Sequence, residues 1–365
     1  MPKKILLFSL LFLLILSSLF TIENFNSKDI RINQVKAAGE GWYNAGGTWN
    51  YRKKITINNN LVADVDNPST TYANFPILIS TTGLSNIKEN GSDIRFTMAN
   101  GITEIPREIE SYDSGNLEAW VKLTLTKDAG DSTNDEIYMY YGNSNATEPA
   151  ANSDYGRNNV WSDTGAVGIW HMAEGAGDYI YDSSGNGNTG TITGADWVAN
   201  GLDFITANDY VDCGVSPAGG LSELTVLTRI KPINSTTHMV IEDGSAYNTN
   251  AFYINLNNGK PEVEIFVTNY NTRTSTDTIS LTEYTDIALR WKSGEAIQLY
   301  LNGVEDTNTA VGHIQTGVLK TGDENLTFGG RPPTPVTNDY NGLMAYTKIY
   351  NRALFAEEIE TQYNN

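Results

Sequence analysis

The residues Asp182–Gly190 read DSSGNGNTG. Glycine reaches positive φ without steric cost, and Asn and Asp tolerate the left-handed region and bond their own backbone. The segment is expected to be a tightly folded loop dense in carbonyl and carboxylate oxygens. Glu108 and Glu110 stand two apart in IPREIESYD (105–113). On a strand they share one side, and paired carboxylates can act as acid and base in glycoside hydrolysis. No E-x-D-x-E order extends the pair, so it reads as a solvent-facing acidic strand beside Arg107 or Arg95. His171 in GIWHM (168–172) alternates with Trp170 and Met172, and His238 and His313 lie far off in sequence. It reads as a structural histidine. No Ser-His-Asp order and no HExxH pattern is present. No motif places acids at catalytic spacing, and the chain is expected not to be an enzyme.

The elements that must position these residues are short and alternating. RKKITIN (52–58), DIRFTM (93–98), EAWVKLTLT (118–126), EIYMYY (136–141) and YINLNN (253–258) alternate apolar and polar residues between clusters of Gly, Asn, Asp and Thr. Period-two alternation with frequent turn residues predicts half-buried antiparallel strands. Only RALFAEEIETQY (352–363) has helical spacing, with Leu354, Ile359 and Tyr363 able to share a face. The expected fold class is all-β: two β-sandwich domains, with a short C-terminal helix after the second. Residues 1–37 form a separate leader. Lys3 and Lys4 precede the apolar run Ile5–Ile22, which reads as a signal peptide or an N-terminal membrane anchor. A first β domain is expected over 42–142, a linker over 143–159 (NSNATEPAANSDYGRNN), and a second β domain over 160–365.

Motifs in both domains resemble known families. Trp42-Tyr43, Trp49–Arg52, NFPILI (74–79), GSDIRF (91–96), IPREIESYD, AWVKL (119–123) and IYMYYGN (137–143) resemble, in order and spacing, the domain of unknown function DUF2341. That family occurs in exported, multi-domain surface proteins. GIWHM, DSSGNGNTG, GLDF (201–204), DYVDCG (209–214), LTVLTRIKP (224–232), IQLYLNGVED (297–306), FGGR (328–331) and NGLMAYTKIYNRALFAEEI (341–359) resemble a laminin G-like (LamG) domain. The resemblance implies a two-sheet jelly roll of concanavalin A type. Ala345 and Tyr346 stand where the family usually has Asp and Glu, Phe355 replaces the small residue that would cap the last helix, and Arg229 stands where Trp is common.

The LamG resemblance also implies ligands. Such domains often hold calcium beside the Gly/Asn loop, and calcium takes six to eight oxygens. Asp182 would supply a carboxylate, with Asn186 and Asn188 supplying carbonyls; the loss of an acid at Ala345 removes one ligand. Sugar binding by jelly rolls uses exposed aromatics beside Asn and Asp, and the candidates are Tyr247, Phe266, Tyr270 and Tyr340. Trp291 and Tyr300 match positions of the family's core.

The formal net charge is −19, and removal of residues 1–37, with five bases and two acids, leaves −22. So acidic a surface repels phosphate backbones and anionic lipid, which argues against nucleic acid as a partner and leaves the membrane only to the N-terminal anchor. The single cysteine, Cys213, allows no intramolecular disulfide and reads as a small buried hydrophobe. The expectation is an extracellular or cell-surface, non-enzymatic binding or adhesion protein recognising glycans or surface proteins. The alternatives are an assembly module of an envelope, sheath or virion and, third, a carbohydrate-active enzyme.

Overall fold

The structure is a computed structural model that describes residues 41–57, 69–128, 135–199, 201–206, 208–244, 251–307, 313–321, 325–330 and 339–364. The leader and Tyr247 lie outside the described residues. No helix among the described residues is long and apolar enough to cross a membrane.

The first domain packs two antiparallel sheets face to face. One has the order Tyr51–Ile57, Asp135–Tyr141, Arg95–Met98, Glu104–Ile105; the other has Ser69–Thr81, Asn116–Asp128, Arg107–Asp113. Their inner phases supply the core: Phe75, Ile77, Ile79, Leu117, Ala119 and Val121 of one sheet meet Phe96, Ile137 and Met139 of the other, with Ile94 just ahead of its strand in the same cluster.

The second domain is a larger sandwich of two eight-stranded sheets. The order of the first sheet begins Tyr270–Thr274, Lys260–Phe266, Phe252–Asn257, His238–Asp243; it continues Asn325–Phe328, Tyr210–Val215, Gly190–Thr193, Tyr179–Ile180. The second sheet centres on Gly342–Tyr350, Glu223–Pro232 and Thr285–Lys292. Phe252, Ile254 and Leu256 are fully buried while Tyr253 and Asn255 are half-buried and Asn257 is exposed. That alternation is the one FYINLN spells. Trp291, fully buried, lies in this core and Tyr300 is buried on the sheet's other side, so neither offers a ring to solvent. The Asn302-Gly303 corner has φ of 50° and 79°, the two positive angles a type I′ turn requires.

Between Asn143 and Asn159 the chain is packed rather than loose. Asn143 is buried, and Ala146 sits in a cluster with Tyr43, Trp49 and Tyr140. The fully buried guanidinium of Arg107 donates from Nη1 and Nη2 to the two oxygens of Glu148, at 2.6 and 2.8 Å. A one-turn helix, α1 (Arg157–Trp161), follows. Five residues are too few for a helical period to show, and the Glu148 anchor lies 41 residues from its partner, so local composition reads as linker.

The second helix, α2 (Ala356–Asn364), starts without a side-chain cap from Phe355. Glu358 substitutes by reaching back to the Phe355 N–H at 2.9 Å, and Arg352 holds its carboxylate with two bonds of 2.7 Å. This is the returning half of a capping box.

Leu227, Ala288, Tyr300 and Tyr350 lie in the outward phase of the second sheet, because Val226, Ile287, Leu289, Leu299 and Ile349 face the core. All four are nevertheless buried. They are covered by Trp120 of the first domain, by Val160 and Trp161 of α1, and by Leu354 and Ile359 at the C-terminus. The two domains thus share one apolar cluster.

Cys213 is buried in the core of the second domain, and burial pushes its thiol well above the ordinary range. A thiolate is the reactive form. The folded chain is expected to leave Cys213 unmodified by a maleimide over hours at pH 7, and unfolding is expected to release one reactive thiol. Stoichiometric labelling of the native protein would contradict this placement.

Candidate functional site

Among the described residues, the apolar cluster by which the first domain and α2 close the second sheet does not extend to the outward face of the first sheet of the second domain. Directly opposed residues in an antiparallel pair share a face, and so do residues two apart on one strand. Ile254, Val263 and Ile265 point into the core, so the other phase points out. The register sets Tyr253 opposite Glu264 and Glu264 opposite Thr272. One row along, Asn255 is opposite Glu262 and Glu262 is opposite Thr274. No bulge interrupts these three strands.

The side chains of this patch converge on two carboxylates. Glu262 accepts from Thr274 Oγ1 at 2.6 Å and from Asn255 and Asn257 Nδ2, each at 3.2 Å. Glu264 accepts from Tyr253 Oη at 2.9 Å and from Thr272 Oγ1. Burial pushes the Glu264 carboxyl up from its ordinary range; the hydroxyls of Thr272 and Tyr253 pull the other way, and nearby Glu262 adds to the rise. The donors named here are neutral hydroxyls and carboxamides, so none of them offsets the charge of the two carboxylates. Glu264 is buried, and Glu262, half-buried, is the more open of the two to a ligand's hydroxyl or amino group.

Phe266 and Tyr270 extend the same face. They are register partners at the end of the Lys260–Phe266 and Tyr270–Thr274 strands, both half-buried. Their rings meet edge to face with centroids 4.8 Å apart, and Lys320 Nζ stands 5.0 Å from the Phe266 ring. The structure therefore brings together two of the four aromatics proposed from sequence, beside a polar patch that sequence reasoning passed over. The signal for that patch was the polar phase of FYINLN and of KPEVEIF, where Tyr253, Asn255, Glu262 and Glu264 alternate with the core residues. Tyr340 does not belong to the site. It is 1% exposed, packs against Phe204 and His238, and donates to the Leu343 carbonyl at 2.9 Å. It is a core residue, and its face is closed to a sugar.

The Asp182 loop is built around its own backbone. Asp182 Oδ1 accepts from the N–H groups of Ile169 at 3.0 Å and Ser184 at 2.9 Å, and Oδ2 accepts from that of Asn188 at 3.0 Å. Asn186 and Asn188 turn their Nδ2 donors to the Val167 carbonyl, at 3.4 and 2.7 Å. The Asn188 carbonyl accepts from Trp170 Nε1 at 2.7 Å. Both Asp182 oxygens and the Asn188 main-chain carbonyl are thus taken up by the loop's own donors and by Trp170, so the carboxylate expected to lead a calcium site serves as the loop's internal tie. Among the described residues no three of His, Cys, Asp and Glu gather at metal-binding distances.

Glu108 and Glu110 share one side of their strand, but that side is not open to solvent as the sequence suggested. It faces the second domain, with His171 between the two carboxylates. Neither pairs with the arginines expected. Arg107 goes to Glu148, and Arg95 Nε lies 3.2 Å from Glu104. His238 is structural, bonded to the Asp339 carbonyl at 2.9 Å and to Asn234 at 2.8 Å.

Comparison with known proteins agrees with this architecture. Residues 90–156 match the family model of the domain of unknown function DUF2341. Residues 205–360 match that of the concanavalin A-like lectin/glucanases superfamily, laminin G type 3. Three solved structures are among those to which the chain is similar. Domain 4 of AbnA, an extracellular GH43 arabinanase from Geobacillus stearothermophilus, solved with arabinotriose, is 18% identical (TM-score 0.43; 53% of this chain and 96% of that one are covered). Trypanosoma rangeli sialidase is 13% identical (TM-score 0.44; 66% and 42% covered). The ligand-binding domain of botulinum neurotoxin serotype D, solved with N-acetylneuraminic acid, is 12% identical (TM-score 0.42; 55% and 50% covered). This chain spans about half or less of the latter two. No curated protein matches it. The chain carries a DUF2341 domain followed by a concanavalin A-like domain of the laminin G type.

Proposed function

We propose that this chain is an exported, non-enzymatic binding protein that recognises glycans through the outward face of the first sheet of its concanavalin A-like domain. One observation carries the reading. The other sheet's outward face is closed by the first domain and α2, while this one sets the Phe266–Tyr270 pair beside Tyr253, Asn255 and two glutamates. Aromatic faces take up sugar C–H edges, and fixed carboxylates and carboxamides bind hydroxyls. The basic, apolar leader supports export. The patch is acidic within a chain of net charge −19, so neutral or amino-bearing sugars suit it and sialylated or uronic ones are repelled.

The test is a glycan array with the chain lacking residues 1–37, followed by calorimetric titration of the best ligand. Wild type is expected to retain neutral or amino sugars. Phe266→Ala and Tyr270→Ala are each expected to weaken binding at least tenfold, about 1.4 kcal/mol, with the folded circular dichroism spectrum kept. No reducing sugar is expected to be released. Absence of any glycan ligand, or unchanged affinity in both variants, would sink the proposal.

A further inference from the structure

The apolar cluster between the domains holds charged groups that glycan binding does not use. The first domain presents Glu108 and Glu110 on the strand Arg107–Asp113. The second presents His171, just past the strand Ala166–Trp170. His171 Nε2 lies 3.2 Å from Glu108 Oε2, and Nδ1 lies 3.3 Å from Glu110 Oε2. A neutral imidazole has one N–H, so it can donate to only one of these carboxylates and turns a lone pair on the other. Only the imidazolium satisfies both. The ring is held in place by Trp120 and Trp161, each with its centroid 5.5 Å away. Those two indoles also donate to the glutamates, Trp161 to Glu108 at 2.7 Å and Trp120 to Glu110. Ser183 of the second domain completes the shell of Glu108.

We propose that Glu108, His171 and Glu110 form a pH-sensitive clasp that couples the DUF2341 domain to the concanavalin A-like domain, closed while His171 carries its second proton. The clasp gives the first domain a role: it docks on its own neighbour and fixes the neighbour's orientation. An apolar face slides with little penalty, whereas a buried carboxylate out of register with its cation is costly.

The pH window follows from the groups that face the clasp. Burial alone would lower the pKa of His171, but Glu110 and Glu108 outweigh it and hold it above the ordinary 6.5. Its contribution is complete below about 6.5, the unfolded value, and is lost as pH climbs through the raised folded value. Glu108 sets the acid limit. Burial would raise it, but His171, Ser183 and Trp161 hold it below the ordinary 4.5. Its contribution is present above 4.5 and is lost only as pH falls through the lower folded value. Lys348, from the strand Gly342–Tyr350, has the opposite sign. Its Nζ stands 4.1 Å from the Trp120 ring and donates to Gln362 at 2.7 Å, and burial pulls it down to about 7. The unfolded chain keeps that proton to about 10.5, so between about 7 and 10.5 Lys348 adds stability as pH rises and offsets part of the loss at His171. Asp286 and Arg229, which pair at 2.9 Å, act on Lys348 with opposite signs. Glu118, beside Glu110, and Glu174, after His171, are both raised, chiefly by burial. The overall melting midpoint mixes all of these, so the clasp is read at His171 and in the coupling of the two domains.

The test uses the full chain with histidine-selective NMR and scanning calorimetry. His171 is expected to titrate above 6.5, held there by the two glutamates. In the Glu108→Gln/Glu110→Gln variant, where burial is left to dominate, it is expected to titrate below 6.5. Wild type is expected to unfold in one transition at pH 6 and in two at pH 9.5, and His171→Gln in two at both. A wild-type His171 midpoint at or below 6.5 overturns the proposal, as does a single wild-type transition persisting to pH 9.5. Both readings need only the wild-type chain, so a variant that fails to fold does not shelter it. Neither depends on any glycan.

Discussion

Trp161→Ala is expected to destabilise the chain by about 4–5 kcal/mol, the largest effect of any single truncation considered. Trp161 ends α1, is 1% exposed, and touches both domains. Its ring centroid lies 5.2 Å from that of Trp120 and 5.5 Å from Lys348 Nζ. Truncating a buried Trp to Ala costs about 3–5 kcal/mol in lost packing and residual cavity. Glu108 also loses the 2.7 Å bond from the indole, and a buried carboxylate short of a donor adds roughly 1 kcal/mol or more. A domain's whole stability is about 5–15 kcal/mol, so the change is a large part of it. The measurement is the denaturant midpoint and slope. Trp161→Phe separates the two contributions: most packing returns and the hydrogen bond does not, so a loss of about 1–2 kcal/mol is expected. A loss under 1 kcal/mol for Trp161→Ala would mean that the domains do not share a core.

Asp182→Ala is expected to cost about 3 kcal/mol, and calcium is expected to leave the melt of both proteins unchanged. The carboxylate accepts three backbone N–H bonds, from Ile169, Ser184 and Asn188. It thereby ties the strand Ala166–Trp170 to the glycine-rich loop. Removing it strands donors, each worth roughly 1 kcal/mol or more when buried. Asp182→Asn keeps the shape and one acceptor oxygen, and is expected to recover about half of the loss. A ligand that bound only the folded state would raise the melting temperature with concentration. Melts with millimolar calcium and with chelator decide the matter: a rise in wild type that Asp182→Ala lacks would restore the loop as a calcium site.

The carboxylates at 108 and 110 and the acid at 182 show why side-chain type and spacing carry chemistry only part of the way. E-I-E on a strand dictates that both acids face one way, and they do. Which body lies on that side is set by residues 61 and more positions downstream, at His171 and Ser183. D-S-S-G-N-G-N dictates a loop of oxygens and positive φ, and Gly185 and Gly187 do take φ of 86° and 84°. Whether those oxygens point at each other's N–H groups or at an open centre depends on how the loop closes on Val167 and Trp170.

What the sequence determined by itself was local and periodic. Alternation in FYINLN and EAWVKL set the strands and their inner faces, because a side chain's face in a strand follows from its parity. Asn302-Gly303 set its turn, because few other pairs accept two positive φ angles. The order of motifs set the succession of two β domains and the C-terminal helix. The tertiary structure decided what lies outside each sheet. It buried Tyr340, left Phe266 and Tyr270 side by side, turned Glu108 and Glu110 onto His171, and packed 143–159 through the Arg107–Glu148 pair. Those outcomes depend on register across strands distant in sequence and on apolar area shared by two domains, and neither quantity has a local signature in the order of residues.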